Sequence, residues 1–124
     1  MLNYKNNDPH IEGISLYDLV QVCETPFYVY SQEKIIDQVN KTKKILGDNI
    51  FYSVKSNSNQ AILRLMQSLD IGADVVSLGE LKRALDAGFD PNKIIFEGVG
   101  KSEQDLLYAM HKNIRLINTE SLAE

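Results

Sequence analysis

The chain has one cysteine, two histidines, three prolines and no tryptophan. A lone cysteine, Cys23, excludes an internal disulfide and any cysteine-cluster metal site. It fits a reducing, cytoplasmic compartment, and Cys23 reads as a small apolar residue rather than a nucleophile. His10 and His111 lie about a hundred residues apart with no acidic ligand pattern around them, so no zinc site is expected. Positive charge is also scarce: 13 Lys and Arg stand against 17 Asp and Glu, for a net charge of −4 with the signs interleaved. Nucleic acid and anionic membranes, which call for a basic stripe, are therefore not expected partners. No apolar run approaches the roughly 18 residues of a membrane span. Met1-Leu2-Asn3-Tyr4-Lys5-Asn6-Asn7 lacks an apolar h-region, so no secretory signal is expected. What remains is a 124-residue chain, 44% apolar and 24% charged, of the size and composition of one small soluble domain.

Residues 1–25 are polar and poorly periodic, with a short helix expected over Ser15-Leu16-Tyr17-Asp18-Leu19-Val20. Pro26 forces Thr25 out of the helical region, and Phe27-Tyr28-Val29-Tyr30 then reads as a short aromatic strand. Beyond Ser31, a plausible N-cap, Ile35, Val39, Thr42 and Leu46 mark one inward helical face, and Gly47 sits where a helix-ending glycine belongs. Strands are predicted at about 50–54, 73–76, 94–96 and 114–117. Helices between them carry Ile62, Leu65, Met66 and Leu69, then Leu81, Ala84 and Leu85, then the segment from Ser102 to His111. Ser77-Leu78-Gly79-Glu80 has the form of a capping box, and Gly88 ends its helix. Strand ends near Lys55, Val76, Phe96 and Ile117 fall about twenty residues apart. Such alternation predicts βα units on a parallel sheet, either doubly wound or a (β/α)₈ barrel. The even spacing favours the barrel, yet four units cannot close one. Another helix is due at Ser121-Leu122-Ala123-Glu124.

Gly98-Val99-Gly100-Lys101-Ser102 fails two phosphate-loop patterns. Ile95 stands where a P-loop needs its first glycine, and Glu103 where a dinucleotide fingerprint needs its third. A βα turn is the simpler reading. Asp74 lies between Ala73 and Val75 inside a strand, where aspartate is disfavoured. It is either a satisfied structural carboxylate or a partner for a cation. Lys55, Asp74, Ser77, Glu97 and Asn118 all fall at or near C-terminal strand ends, which share one face of a parallel βα scaffold. A lysine there beside a carboxylate suits covalent attachment of an aldehyde cofactor or substrate.

Several blocks together resemble the diaminopimelate decarboxylases. Thr25-Pro26-Phe27-Tyr28-Val29-Tyr30 resembles their T-P-[FL]-Y-V-Y entry. Tyr52-Ser53-Val54-Lys55-Ser56-Asn57 is similar to their Y-[AS]-V-K-[AS]-N lysine motif, and Gly72-Ala73-Asp74-Val75-Val76-Ser77-Leu78-Gly79-Glu80-Leu81 to their G-A-D-V-V-S-G-G-E-L. Phe96-Glu97-Gly98-Val99-Gly100-Lys101 and Ile117-Asn118-Thr119-Glu120-Ser121 are also similar, and Asn3-Tyr4-Lys5-Asn6 with Glu12-Gly13 matches the family's N-terminal strand and its lead-in. The resemblance covers essentially all 124 residues. Leu78 and Glu24 depart from it, each replacing a common glycine.

The resemblance implies an alanine-racemase-type barrel that binds pyridoxal 5'-phosphate. Residues 1–25 would belong to a β domain and its lead-in, and residues 26–124 would form the first half of the (β/α)₈ barrel. It implies that Lys55 holds the cofactor covalently, that Asp74 lies near it, and that Ser77 is a cofactor-binding residue or only a helix cap. It further implies decarboxylation of meso-diaminopimelate to L-lysine in a cytoplasmic homodimer. The family's phosphate loop, the acidic partner of its pyridine nitrogen, its substrate arginines and its cross-dimer cysteine match nothing here. Half a barrel leaves strand edges exposed, so the chain alone is expected to be inactive. The alternatives are a non-catalytic pyridoxal phosphate-binding or regulatory module, or a related ornithine, arginine or carboxynorspermidine decarboxylase.

Overall fold

A computed structural model of the protein describes residues 2–122 and 124, so the expected helix start at 121–124 falls partly, at Ala123, outside the described residues. The chain forms two compact units, Met1–Thr42 and Lys43–Glu124.

In the first unit, β1 (Asn3–Lys5), β2 (Asp8–Ile11) and β3 (Ile14–Ser15) make an antiparallel meander. Its two-residue turns are Asn6-Asn7 and Glu12-Gly13, all four with positive φ. This is the geometry that matches the twist of a tight hairpin. Helix α1 (Leu16–Val22) follows at once, because the Ser15 hydroxyl accepts from the backbone N–H of Tyr17 and Asp18 and donates to Asp8 at 2.9 Å. Helix α2 begins at Gln32 and runs to Leu46. As expected, Ser31 caps it, accepting from the N–H of Lys34 at 3.1 Å. Glu12 adds a second cap, accepting from the Ser31 hydroxyl and from the Glu33 N–H, and those two hydrogen bonds hold its carboxyl below the usual range.

Two expectations fail around α2. Phe27–Tyr30 is not a strand: among the described residues nothing pairs with it, and Tyr28 is 90% exposed. Aromatic, β-prone residues favour an extended chain, but a strand also needs a hydrogen-bonded neighbour. Leu46, expected inward, is 68% exposed; Val39 is the buried residue of α2.

The second unit is the alternating βα pattern. Strands β4 (Phe51–Ser53), β5 (Gly72–Val75), β6 (Ile94–Phe96) and β7 (Leu116–Ile117) form a parallel sheet in sequence order. Between them run α3 (Gln60–Ser68), α4 (Leu78–Asp86) and α5 (Glu103–His111). This is three complete βα units and a fourth strand, the arrangement of the first half of a barrel. The two faces of the sheet differ. Ala73, Val75, Ile94 and Phe96 are almost wholly buried, as are Leu63, Leu81, Ala84 and Ala109 on the three helices. Each large apolar side chain so buried contributes about 1.5–3 kcal/mol. The alternate residues, Ser53, Asp74, Ile95 and Leu116, lie in one register row and are half-buried or exposed.

Caps fix where the helices stop and start. Ala87, Gly88 and Phe89 close α4: Gly88, at φ 93, donates to Leu85 and Phe89 to Ala84. That pair is the Schellman pattern, with Phe89 buried beneath it. Ser102 and Asp105 cap each other's backbone at the start of α5.

Candidate functional site

In a parallel βα sheet every strand delivers its C-terminal end to the same rim, and ligands collect there. Strand β4 ends at Ser53, and Val54–Ser56 forms a 3₁₀ turn that carries Lys55, so the expected strand through Val54 stops one residue early. Three contacts brace the turn. Val54 is fully buried, the Ser56 hydroxyl donates to the Ser53 carbonyl at 2.7 Å, and the Tyr52 hydroxyl donates to the Asn57 carbonyl at 3.0 Å. Asn57 then accepts from the Asn59 N–H, and Asn59 caps α3 by accepting from Ala61. Lys55 is exposed on this anchored turn.

Asp74 is the third residue of β5, in register with Ser53 on one side and Ile95 on the other. Among the described residues its Oδ1 is buried without a hydrogen-bond partner, and so is Ser53 Oγ. Buried polar atoms are nearly always satisfied, and two orphans side by side on the less covered sheet face mark a place for a polar ligand.

Ser77 caps α4, accepting from the Glu80 N–H at 3.2 Å. The capping box is shifted by one residue, because Glu80 reaches back to the N–H of Val76 at 3.0 Å rather than to that of Ser77. Glu97 and Asn118 extend the ladder just past β6 and β7, donating to the carbonyls of Val75 and Phe96 at 2.8 Å. Lys55, Asp74, Ser77, Glu97 and Asn118 therefore all occupy the C-terminal rim.

The Gly98–Ser102 segment is a βα turn, as its failed phosphate patterns suggest. Gly98 and Gly100 have φ of 90 and 76, and Lys101, its side chain 1% exposed, donates to the Gly98 carbonyl and to Glu124. The ammonium also sits 5.9 Å from the centre of the Phe96 ring.

The residue that sequence reasoning missed is Ser53. Its signal was available: it is the one small polar residue of β4, at the strand end that leads into the turn of Lys55.

The donor set fits an aldehyde cofactor: an accessible primary amine on a rigid turn, with an unpartnered carboxylate oxygen on the adjacent strand. Comparison with known proteins agrees. Residues 32–124 match the family model described as "Pyridoxal-dependent decarboxylase, pyridoxal binding domain". The chain is 40% identical over 124 residues to a diaminopimelate decarboxylase of Aquifex aeolicus, covering 99% of this chain and 30% of that protein. Among solved structures, a protein of Aquifex aeolicus superposes with a TM-score of 0.91 at 40% identity, over 97% of this chain and 30% of the other. A Helicobacter pylori diaminopimelate decarboxylase complexed with L-lysine gives 0.76 at 43% identity, over 85% and 27%. The chain thus spans about 30% of the length of the curated relative it matches.

Proposed function

Because the chain belongs to the pyridoxal-dependent decarboxylases through their pyridoxal-binding domain, we propose that it supplies the cofactor anchor of a diaminopimelate decarboxylase. That enzyme releases carbon dioxide from meso-diaminopimelate to leave L-lysine. The observation that carries the reading is Lys55 on its braced turn at the rim, which follows directly on Ser53, the register partner of Asp74 with its unpartnered carboxylate oxygen. The named relatives support the choice of substrate, one of them having been solved with L-lysine.

In this reading pyridoxal phosphate supplies the electron sink that decarboxylation requires. The chain's own residues hold and orient it. Lys55 binds the cofactor covalently, and Val54, Ser56 and Tyr52 keep the turn beneath it from shifting, since small misplacements of reacting groups cost large factors in rate. Asp74 accepts a hydrogen bond from the cofactor side. Ser77 fixes the start of α4 next to the rim and faces the same ligand. Residues 1–25 belong to a β domain and its lead-in, and 26–124 to the barrel. The less covered sheet face, the unpaired outer edges of β4 and β7, and the exposure of Lys55 all call for further protein to exclude water. We assign that role to additional barrel strands and to a second copy in a homodimer, so the 124-residue chain alone does not decarboxylate. No helix among the described residues is long and apolar enough to cross a membrane.

The test is chemical. Protein loaded with pyridoxal phosphate is reduced with borohydride, digested and mapped by mass. The adduct is expected on Lys55 and is absent from Lys55→Ala; an adduct on any other lysine overturns the assignment.

A further inference from the structure

Ser53 ends β4 in register with Asp74, and each carries a buried polar atom that no group among the described residues satisfies. Residues in register on neighbouring strands sit about 4.8 Å apart and project to the same side. Ala73 and Val75 beside Asp74, and Ile94 and Phe96 on the next strand, fill the layer under the helices, so the two orphans point the other way, in the row that holds Ile95 and Leu116. A deprotonated carboxylate can only accept, whereas a serine hydroxyl can also donate. The pair therefore offers a ligand one donor and one acceptor, side by side, where β4 leads directly into the turn that presents Lys55.

We propose that Ser53 is itself a cofactor-binding residue: its hydroxyl donates to the ring oxygen of pyridoxal phosphate while Asp74 accepts from a donor on the same edge of the ligand. The proposal rests on the attachment of that cofactor at Lys55. The ring oxygen is ortho to the aldehyde group, so a cofactor held by Lys55 keeps that oxygen near the point of attachment, and the turn that carries Lys55 begins where strand β4 ends at Ser53. Ser53 is the polar side chain that this strand offers to that face.

The experiment compares apo-protein of wild type and Ser53→Ala, titrated with pyridoxal phosphate and with its 3-deoxy analogue, which lacks the ring oxygen. Bound cofactor is read by its absorbance. Loss of one hydrogen bond is expected to weaken pyridoxal phosphate binding about five- to tenfold, while the deoxy analogue binds both proteins alike. Equal affinity of both proteins for pyridoxal phosphate overturns the proposal. So does an equal weakening for the two ligands, which would make Ser53 a packing residue only. Should Ser53→Ala lose its fold, Ser53→Cys keeps the volume with a weaker donor; an intermediate affinity supports the proposal, and wild-type affinity overturns it. Borohydride trapping on wild type separates the two levels. No adduct at Lys55 removes the reading beneath the proposal, whereas an adduct with an indifferent Ser53 removes this inference alone.

Discussion

Alanine at Gly72 is the sharpest perturbation of the sheet. A Cβ there would lie 2.2 and 2.4 Å from Cδ1 and Cε1 of Phe51 and 2.7 Å from the carbonyl oxygen of Lys93. Carbon atoms in contact settle at about 3.5–4.0 Å, so the ring would have to retreat by roughly 1.3 Å. Its retreat is opposed by the Arg115 guanidinium, 5.6 Å from the ring centre. The Lys93 oxygen is backbone, fixed in the turn Pro91–Lys93 that leads into β6, and cannot rotate away. Overpacking typically costs about 1–3 kcal/mol, and a backbone obstruction puts this site at the upper end, about 3 kcal/mol. Removing a glycine from a strand returns about 0.5–1 kcal/mol, which leaves a net loss of about 2 kcal/mol. Urea unfolding read by circular dichroism and tyrosine fluorescence measures it, there being no tryptophan. Phe51→Leu in the same chain removes the ring contacts but not the Lys93 contact. The double variant should therefore be at least about 1 kcal/mol more stable than the sum of the two single changes. A Gly72→Ala protein within about 0.5 kcal/mol of wild type, or strict additivity with Phe51→Leu, refutes the packing argument.

Two further predictions concern caps and pH. Ser77→Ala removes the N-cap of α4 and should cost about 1 kcal/mol in the same unfolding assay, with Ser77→Asp restoring it because aspartate caps equally well; a neutral Ser77→Ala would show that the cap is idle. The Asp70 carboxyl is held below its ordinary value of 3.8, first by the hydrogen bond from Lys93 and then by that residue's charge. A carboxyl depressed in the folded state stabilises above its unfolded value and loses that contribution as pH falls through the folded one. Wild type should therefore be the more stable at neutral pH, and its unfolding midpoint should converge on that of Asp70→Asn below about pH 4. A difference that persists unchanged at pH 3 would remove the ion pair as its cause.

The sequence disclosed the second unit far better than the first, for physical reasons. Between Ile50 and Ile117 the apolar period switches cleanly between strand and helix, and Gly47, Gly88, Ser77 and Ser102 mark ends where a cap or a positive φ is obligatory. The first unit offers no such period. Its three strands follow one another through two-residue turns with no helix between them, so no switch of period marks them, and their turns rely on Asn6, Asn7 and Glu12 adopting conformations usually left to glycine. Resemblance placed the first strand; periodicity did not. Phe27–Tyr30 shows the opposite error, where composition favours a strand that no neighbour completes. At the site, the rim positions followed from topology alone. The orphaned oxygens of Ser53 and Asp74 did not, because they depend on register, and register is invisible until two strands are laid side by side.

The pairings of the parallel sheet share one number. Phe51 meets Gly72, Ala73 meets Ile94, and Ile95 meets Leu116, so each strand docks on a predecessor 21 residues upstream. Chain closure over equal lengths carries equal entropy, so no pairing is handicapped relative to the others. A ribosome adding about 5–20 residues each second releases one such interval every few seconds, while helices and short loops form in microseconds or less. Each unit thus has ample time to settle on the last before the next emerges. The sheet can grow vectorially, in the order of translation, sealing its helix-backed layer as it lengthens. Side chains on the opposite row, Ser53 and Asp74 among them, take little part in that growth.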